Sequence, residues 1–201
     1  MIPHSHFLEV LRDYGGFASW AVWRDRGATA TSGVSDISIF QQPELAHTLK
    51  VLRTDIAFVG LNVSRVPEDS PFSNFHDKKP TGTDYKLRDA LAGTKLWGAY
   101  MTDFVKDFPE PKSSVLMQFL KHDPEAESFH ASTLRSELTA VCGDLSAVSL
   151  VALGADTHKL LKKHFQGCHI FRLDHYAQRR YGAAEYRSRA LILESQLSAA
   201  L

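Results

Sequence analysis

The segment DIAFVGLNVS, residues 55–64, is the strongest indicator of the fold of this chain. It begins with a continuous apolar run that ends at Gly60, and such a run is typical of a parallel strand covered on both faces. The segment 61–83 that follows is rich in Pro, Ser, Asn and Asp. Loops of that length are uncommon in compact domains and are often functional. We therefore predict a buried strand over 55–60 with a functional loop directly behind it.

Outward from this strand, apolar runs and helical patterns alternate along the chain. Further strands are predicted at 17–23, 96–104, 147–153 and 169–173. Helices are predicted at 6–13, 43–52, 85–92, 113–121, 125–141, 156–165 and 183–197. Strands separated by helices imply a parallel sheet with right-handed crossovers, so the sequence predicts an α/β fold. Ligands in such folds bind beyond the carboxyl ends of the strands, which directs attention to the residues that follow each strand.

The length and composition fit one globular domain. The chain has 201 residues, 44% of them hydrophobic, and a formal net charge of zero. We predict a single domain over 1–201, in which 1–50 form an N-terminal extension packed on the rest. The balanced charge gives no global field that would indicate nucleic acid or membrane. Locally, however, the segment 158–190 is basic and the segment 123–144 is acidic.

The sequence lacks the signatures of several kinds of chemistry. Cys142 and Cys168 are not in a CxxC pair, so no iron–sulfur cluster or cysteine-based zinc site is expected. His4 and His6 have no partner ligands nearby, so we expect no metal and no cofactor. The absence of a Gly-x-Ser-x-Gly elbow, a Walker loop and a dinucleotide fingerprint argues against an unrelated α/β hydrolase or transferase. Without a secretory segment or a membrane-spanning apolar run, we expect a cytoplasmic monomer with no membrane partner.

Four motifs at the predicted strand ends resemble those of the uracil-DNA glycosylase superfamily. FVGLNVS at 58–64 is similar to the first motif, in the Gly-x-Asn-Pro form of the mismatch-specific and single-strand-selective branches. YMTDFVK at 100–106 resembles the central strand motif, usually Thr-Asn followed by a hydrophobe and a Lys. VSLVALGA at 148–155 resembles the third strand with its Leu-Gly turn, and LDHYA at 173–177 falls where the family has His-Pro-Ser. The motifs follow the family's order.

The resemblance implies a fold, an activity and a partner. The fold is a three-layer α/β/α sandwich around a central, mostly parallel four-stranded sheet. The activity is that of a DNA glycosylase, which flips a base out of DNA and hydrolyses its N-glycosidic bond in base-excision repair. The substrate is then single- or double-stranded DNA, with no cofactor.

Asn62 and His175 are the catalytic candidates that the resemblance implies. Asn62 would position the water that attacks the sugar C1′, because cleavage passes through an oxocarbenium-like state for which a placed water matters most. His175 would donate a hydrogen bond to the departing base and stabilise its anion. Gly60, Leu61 and Ser64 would complete the loop that holds the base. The alternatives are a turn role for Asn62 and no functional role for His175.

The chain departs from the family pattern at functional positions. Val63 replaces the family's Pro, and Tyr176-Ala177 replace its Pro-Ser. Asp103 stands where uracil-specific members often have an Asn that donates to O4 of the base. An ionised Asp cannot donate, so we predict that plain uracil is not the preferred base. Asp103 could accept from an exocyclic amine or, when protonated, serve N3 of cytosine; the alternative is a cap or an ion pair with Lys106.

Phe72 and Phe75 are the aromatic candidates in the loop after the first motif. The family places there an aromatic side chain that stacks on the flipped base, and base stacking contributes about 1–3 kcal/mol. Asn74 and His76 flank Phe75 and are weaker polar candidates. The alternative is that both phenylalanines only anchor the loop.

Gln178, Arg179 and Arg180 are the DNA-binding candidates, in the loop that inserts into DNA in the family. Base flipping leaves a gap that a wedge residue fills, while nearby cations hold phosphates. The usual aliphatic wedge is absent here, and an Arg or Tyr181 could replace it by stacking. The alternative is a solvated basic turn.

A second class of function stays open from the sequence alone. A glycosylase-like module that binds a nucleobase or nucleic acid without cutting it is favoured by Asp103 and by the missing Pro and Ser neighbours. Both classes require Asn62, Asp103 and His175 to lie around one site.

Overall fold

The structure of the chain is a computed structural model that describes residues 2–63, 70–77, 79, 82–106 and 108–200. Its strands are β1 Ser19–Trp20, β2 Arg53–Asn62, β3 Ala99–Val105, β4 Ser149–Leu153 and β5 His169–Leu173. Its α-helices are α1 His4–Tyr14, α2 Leu45–Val51, α3 Asp84–Leu91, α4 Ser113–His122, α5 Pro124–Cys142, α6 Ala155–His164 and α7 Ala183–Ala200. Each of these elements overlaps one that the sequence predicts.

The described strands form one sheet in the order β1-β3-β2-β4-β5. Strands β3, β2, β4 and β5 are parallel, whereas β1 pairs antiparallel with β3 at one edge. The predicted α/β fold with a mostly parallel sheet is therefore confirmed. The resemblance implied four strands, whereas the described sheet has five, four of them parallel and the short β1 antiparallel at the edge.

The first strand is shorter than the predicted 17–23. Beyond Trp20, only Ala21 still bonds to the segment leading into β3, by accepting from the Gly98 N–H at 2.9 Å and donating to the Ala99 carbonyl at 2.8 Å. The Val22 N–H instead turns back to the Trp20 carbonyl at 2.7 Å, which ends the pairing.

The second strand is longer than the predicted 55–60. It continues to Asn62, which pairs with Val105 of β3. Leu61 and Asn62 were expected in the loop, but they belong to the strand because β3 offers pairing partners up to Val105. The position of Asn62 is thus set by the sheet and not by a free loop.

Both faces of the sheet are buried, each under different helices. One buried cluster contains Ala57 and Val59 of β2 with residues of α1, α2, α4, α5 and α6. The other contains Ile56 and Phe58 of β2 with residues of α3 and α7. Successive strand residues point to opposite faces, so alternate residues enter different clusters. This explains why the segment is a continuous apolar run, in which each large side chain stabilises the fold by about 1.5–3 kcal/mol.

The segment 1–50 contributes to this core. Phe7 and Val10 of α1, Trp20 of β1 and Phe40 are all buried in the first cluster. Large apolar side chains of this segment are therefore part of the described core, and its standing as an extension of a single domain stays a prediction.

Candidate active site

The carboxyl ends of the parallel strands bring several predicted site residues together. Gly60 of β2 and Asp103 of β3 are register partners. On the other side of β2, the Gly154 N–H, directly after β4, donates to the Leu173 carbonyl at the end of β5 at 2.8 Å. A β-carbon placed on Gly154 would lie 3.7 Å from the β-carbon of His175. The motifs that carry the resemblance therefore meet at one edge of the sheet.

Gly60 is the point of closest approach in this site. A β-carbon placed on it would lie less than 3.0 Å from Oδ1 of Asp103, closer than real β-carbons approach other atoms. It would also lie 3.7 Å from Cε1 of Phe75. The glycine is required here because the Asp103 carboxyl lies across its α-carbon, with the Phe75 ring beside it.

Asn74 holds the Asp103 carboxyl in this position. Its Nδ2 donates to Oδ2 of Asp103 at 2.9 Å and to the Phe17 carbonyl at 2.7 Å. Its Oδ1 accepts from the Phe75 N–H at 3.1 Å. Asn74 thus ties the carboxyl, the ring and the segment before β1 into one unit. The sequence offered only its place beside Phe75 as a signal of this role.

Burial raises the pKa of Asp103 to about 6, while the Asn74 hydrogen bond and the Lys106 charge oppose the shift and Glu137 adds to it. Only 4% of Asp103 is exposed, which explains why burial dominates. The carboxyl is therefore mostly ionised at pH 7.5 and gains a proton under mildly acidic conditions. It can change from an acceptor to a donor within a narrow pH range.

The Asp103→Asn variant is expected to be more stable than the wild type at pH 7.5. A folded-state pKa of about 6 against the ordinary 3.8 means that the charged form is disfavoured by folding. Protonated Asp103 does not oppose folding, so the free energy of unfolding has its full value below about pH 4. It falls as the pH rises through 6, and the total loss is at most about 3 kcal/mol. Urea unfolding at pH 7.5 and pH 4 measures this difference, which should close at pH 4.

Asp144→Asn is the control with the opposite sign. Hydrogen bonds from the Ser146 backbone and hydroxyl lower the pKa of the exposed Asp144 carboxyl, so this variant should lose stability at pH 7.5. A gap between Asp103→Asn and wild type that is the same at both pH values would contradict the buried-carboxyl assignment.

Phe72 and Phe75 have different environments. Phe72 is fully buried in the first core cluster, with its ring 5.5 Å from that of Phe7 and 5.2 Å from that of Phe40. With no exposed surface, it has no face open to a base in this structure, which favours the alternative that it anchors the loop, and its substrate-binding role stays a prediction. Phe75 is also buried, with 7% exposed, but it lies in the other cluster with its ring beside Gly60, so it borders the site.

Leu61 and Ser64 complete the predicted base-holding loop only in part. The Leu61 side chain is buried in the first core cluster, on the opposite face of the sheet from Phe75. Leu61 is therefore a core residue, and only its backbone remains for a ligand. Ser64 lies outside the described residues.

Asn62 uses its amide nitrogen to hold the chain together. Its Nδ2 donates to the carbonyls of Val63, Phe108 and Glu110 at 2.9, 2.8 and 3.0 Å. These bonds fasten the segment after β3 to the end of β2. The amide oxygen is then the atom of this side chain that could orient a water.

His175 is half-buried and neutral at pH 7. Burial lowers the pKa of its imidazole to about 4. Its Nδ1 accepts from the Ala177 N–H at 3.1 Å, so the neutral ring carries its proton on Nε2. The ring stacks on Tyr176 at 4.5 Å between centroids. A neutral imidazole with an Nε2–H is a hydrogen-bond donor that adds no positive charge.

Tyr176 is a site residue that the sequence analysis missed. Its side chain is buried in the same cluster as Phe75, and its hydroxyl interacts with the Asp84 carboxyl. Burial raises the pKa of Tyr176 well above its usual value, and the carboxyls of Asp84 and Asp103 add to this. The Tyr176 side chain therefore interacts with both acids, whereas the family pattern had indicated only a missing proline.

Gln178, Arg179 and Arg180 are exposed on the loop 174–182, between β5 and α7. The Gln178 N–H donates to the His175 carbonyl at 3.1 Å, and the Arg180 guanidinium lies 5.5 Å from the Tyr181 ring centroid. Their location next to the strand ends suits contact with a large partner, and their DNA-binding role stays a prediction.

Two further features bear on the choice of site. An open cleft of about 470 Å³ lies at the amino ends of β2 and β3, and is lined by residues that include Arg53, Lys95 and Trp97. It is at the opposite end of the strands from Gly60 and Asp103, so volume alone does not identify the site. Within the described ranges, no group of three or more His, Cys, Asp or Glu is placed to hold a metal, and no helix is long and apolar enough to cross a membrane.

Comparisons of the chain with protein-family models, curated proteins and solved structures found no match. The structure defines the chain as an α/β protein with a mostly parallel sheet and a polar site at the strand ends. Because no comparison matches, its family stays a hypothesis.

Proposed function

We propose that this protein is a DNA glycosylase of the uracil-DNA glycosylase type, with a three-layer α/β/α fold, that hydrolyses the N-glycosidic bond of a flipped, non-uracil base. One observation carries the proposal: the buried Asp103 carboxyl lies across the α-carbon of Gly60, beside the Phe75 ring, at the carboxyl end of the sheet. A polar group at the base of an apolar wall suits a planar heterocycle with a hydrogen-bonding edge.

The proposed reaction uses four side chains, of which three contact the bound base and one holds a water. Phe75 stacks on the base and Asp103 bonds its edge. The C1′–N bond breaks with its electron pair moving to the base, and His175 donates a hydrogen bond from Nε2 to the developing anion. A water held by Oδ1 of Asn62 supplies the oxygen that bonds to C1′ and releases a proton to solvent.

Asp103 determines the base in this scheme. In its ionised form it accepts a hydrogen bond from an exocyclic amine and repels O4 of uracil. With a pKa of about 6, its protonated form also becomes available to a ring nitrogen such as N3 of cytosine as the pH falls. The preferred bases are therefore those with an amine next to a ring acceptor, and activity on cytosine-type bases should increase below pH 7.

A silent binding module is the second candidate function. The observation that favours it is the use of the Asn62 nitrogen in three hydrogen bonds to main-chain carbonyls. This is the contact set of a residue that holds a loop. In such a module, Asp103 and Phe75 bind a base while no water is placed for attack.

Oligonucleotides that contain uracil, hypoxanthine, cytosine or 5-methylcytosine test the proposal. After incubation with excess protein, alkali cleaves the strand wherever a base has been removed. We expect scission at an amine-bearing base before uracil. Replacing His175 by Gln should reduce the single-turnover rate by about 10²–10³-fold, because a pre-placed donor to the leaving base is lost.

A parallel measurement of DNA binding by fluorescence anisotropy separates the two candidates. Binding without scission on any substrate, unchanged in Asn62→Ala, supports the silent module. Neither scission nor binding by wild type would overturn both. His169→Gln is the matched control, because His169 is exposed in β5 and should leave rate and affinity unchanged.

A further inference from the structure

The first turn of α3 holds the loop 174–182 that carries His175. The Asp84 carboxyl interacts with the Tyr176 hydroxyl and accepts from the Asp77 N–H at 2.8 Å. Two residues later, Nζ of Lys86 donates to the Tyr181 carbonyl at 3.0 Å and to the Gln178 carbonyl at 3.4 Å. One helical turn therefore contacts the loop on both sides of its exposed tip.

Helix α7 adds a contact at each end of the loop. The Arg189 guanidinium pairs with Asp174 at 3.0 Å and lies 3.9 Å from the centroid of the Tyr181 ring. His175 thus lies between Asp174 and Tyr176, both of which are tethered by side chains from other elements. Its position depends on these tethers because the loop has no strand or helix of its own.

Lys86 has an unusual place for a positive charge. Its side chain is buried, and the ion pairs of the described residues do not include it. Burying an ammonium group is unfavourable unless strong hydrogen bonds compensate. The two bonds to main-chain carbonyls supply this compensation and hold the lysine against the loop. A main-chain carbonyl can accept a hydrogen bond regardless of which side chain its residue carries. A lysine clamp therefore fixes the path of the backbone and leaves the exposed side chains of 178–180 free for another contact.

We propose that Lys86 and Asp84 are positioning residues that hold the 174–182 loop so that His175 stays half-buried and aligned with the strand ends. In this clamp, Asp84 acts through the Tyr176 hydroxyl, and Lys86 acts through the carbonyls of Gln178 and Tyr181. The effect on base removal rests on the proposed function; the effect on His175 does not.

The test compares Lys86→Met with Lys159→Met, a matched change at an exposed lysine of α6. NMR titration of the His175 ring is the first readout. In the wild type the pKa of His175 lies well below 6.5, and in Lys86→Met we expect it to rise toward 6.5 as the ring leaves its buried position. Hydrogen exchange of the Ala177 and Gln178 amides, which both donate to His175, should accelerate. Lys159→Met should change neither.

The second readout is the single-turnover rate on the best substrate against the Kd for DNA. A misplaced His175 should lower the rate by about tenfold or more while the Kd changes much less. Lys86→Arg, which can still donate to both carbonyls, should recover most of the rate. Asp84→Asn tests the same loop from the Tyr176 side, and it decides the question if Lys86→Met does not fold.

The outcomes separate the clamp from the proposed function. If wild type cuts no substrate, the proposed function fails, yet the His175 titration and amide exchange still decide the clamp. If Lys86→Met and Asp84→Asn fold but leave the His175 titration unchanged, the clamp is overturned, even when the rate falls.

Discussion

Replacing Lys106 by methionine is expected to lower the free energy of unfolding at pH 7 by about 3–5 kcal/mol, because it leaves a buried carboxylate without its partner. Nζ of Lys106 lies 2.7 Å from Oε2 of Glu137, and the two residues are only 6% and 1% exposed. Glu137 also accepts from the Tyr100 hydroxyl at 2.9 Å. Loss of the ammonium removes the charge that compensates the burial of Glu137.

The double variant Lys106→Met/Glu137→Gln is the control for this prediction. It removes both charges while keeping an acceptor for the Tyr100 hydroxyl, so most of the lost stability should return. Urea unfolding of the wild type, both single variants and the double variant gives the coupling energy directly. Additive losses, with no recovery in the double variant, would contradict a strongly coupled buried pair.

The same ion pair affects the candidate site. Lys106 also donates to the Asp103 carbonyl and to the Thr102 hydroxyl. Its charge lowers the pKa of Asp103, and that of Glu137 raises it. Lys106→Met is therefore expected to move the pKa of Asp103 further upward. The Lys106–Glu137 ion pair therefore affects both the stability of the fold and the pKa of Asp103, the residue proposed to select the base.

The parallel sheet could be predicted because its signals are local. Each parallel strand is an apolar run, and each helix between them has a helical pattern. The limits of the strands were less accurate. Asn62 belongs to β2 because of pairing with Val105, and the first strand ends at Trp20 because of a turn at Val22. Those limits depend on partners distant in sequence, which a periodic pattern does not contain.

The residues of the candidate site that lie at strand ends could be predicted from the sequence. The side chains that hold them in place could not. Gly60, Asp103 and His175 follow apolar runs, so their meeting at one edge follows from parallel topology. Asn74, however, acts through a carboxyl on another element, and this pairing has no sequence signature.

The environments of individual side chains could not be predicted either, because they also depend on residues distant in sequence. Phe72 and Phe75 are three residues apart with similar neighbours, yet they lie on opposite faces of the sheet. Tyr176 showed only as a missing proline, although its side chain interacts with Asp84 of α3. Which face or partner a loop residue takes is decided by tertiary packing.

Gly60→Ala is expected to lower both the stability of the fold and the activity of the proposed site. Both depend on the close approach of the Asp103 carboxyl to the Gly60 α-carbon. The added methyl group would lie less than 3.0 Å from Oδ1 of Asp103, and the carboxyl has little freedom to move because it is buried and bonded by Asn74. We expect a loss of about 1–3 kcal/mol of stability, as for overpacking in a core. A carboxyl displaced by about 1 Å should also reduce base removal or base binding by roughly 10²-fold.

The double variant Gly60→Ala/Asp103→Ala distinguishes this clash from a general intolerance of β2. Without the carboxylate there is room for the methyl group, so the double variant should be more stable than Gly60→Ala alone, while base recognition stays lost. Gly16→Ala is the matched control, because a β-carbon there meets nothing within 4 Å, and its stability should change by less than about 0.5 kcal/mol. If Gly60→Ala is as harmless as Gly16→Ala in urea unfolding and keeps its affinity for the base, the Asp103 carboxyl does not lie across Gly60 and the proposed base site is wrong.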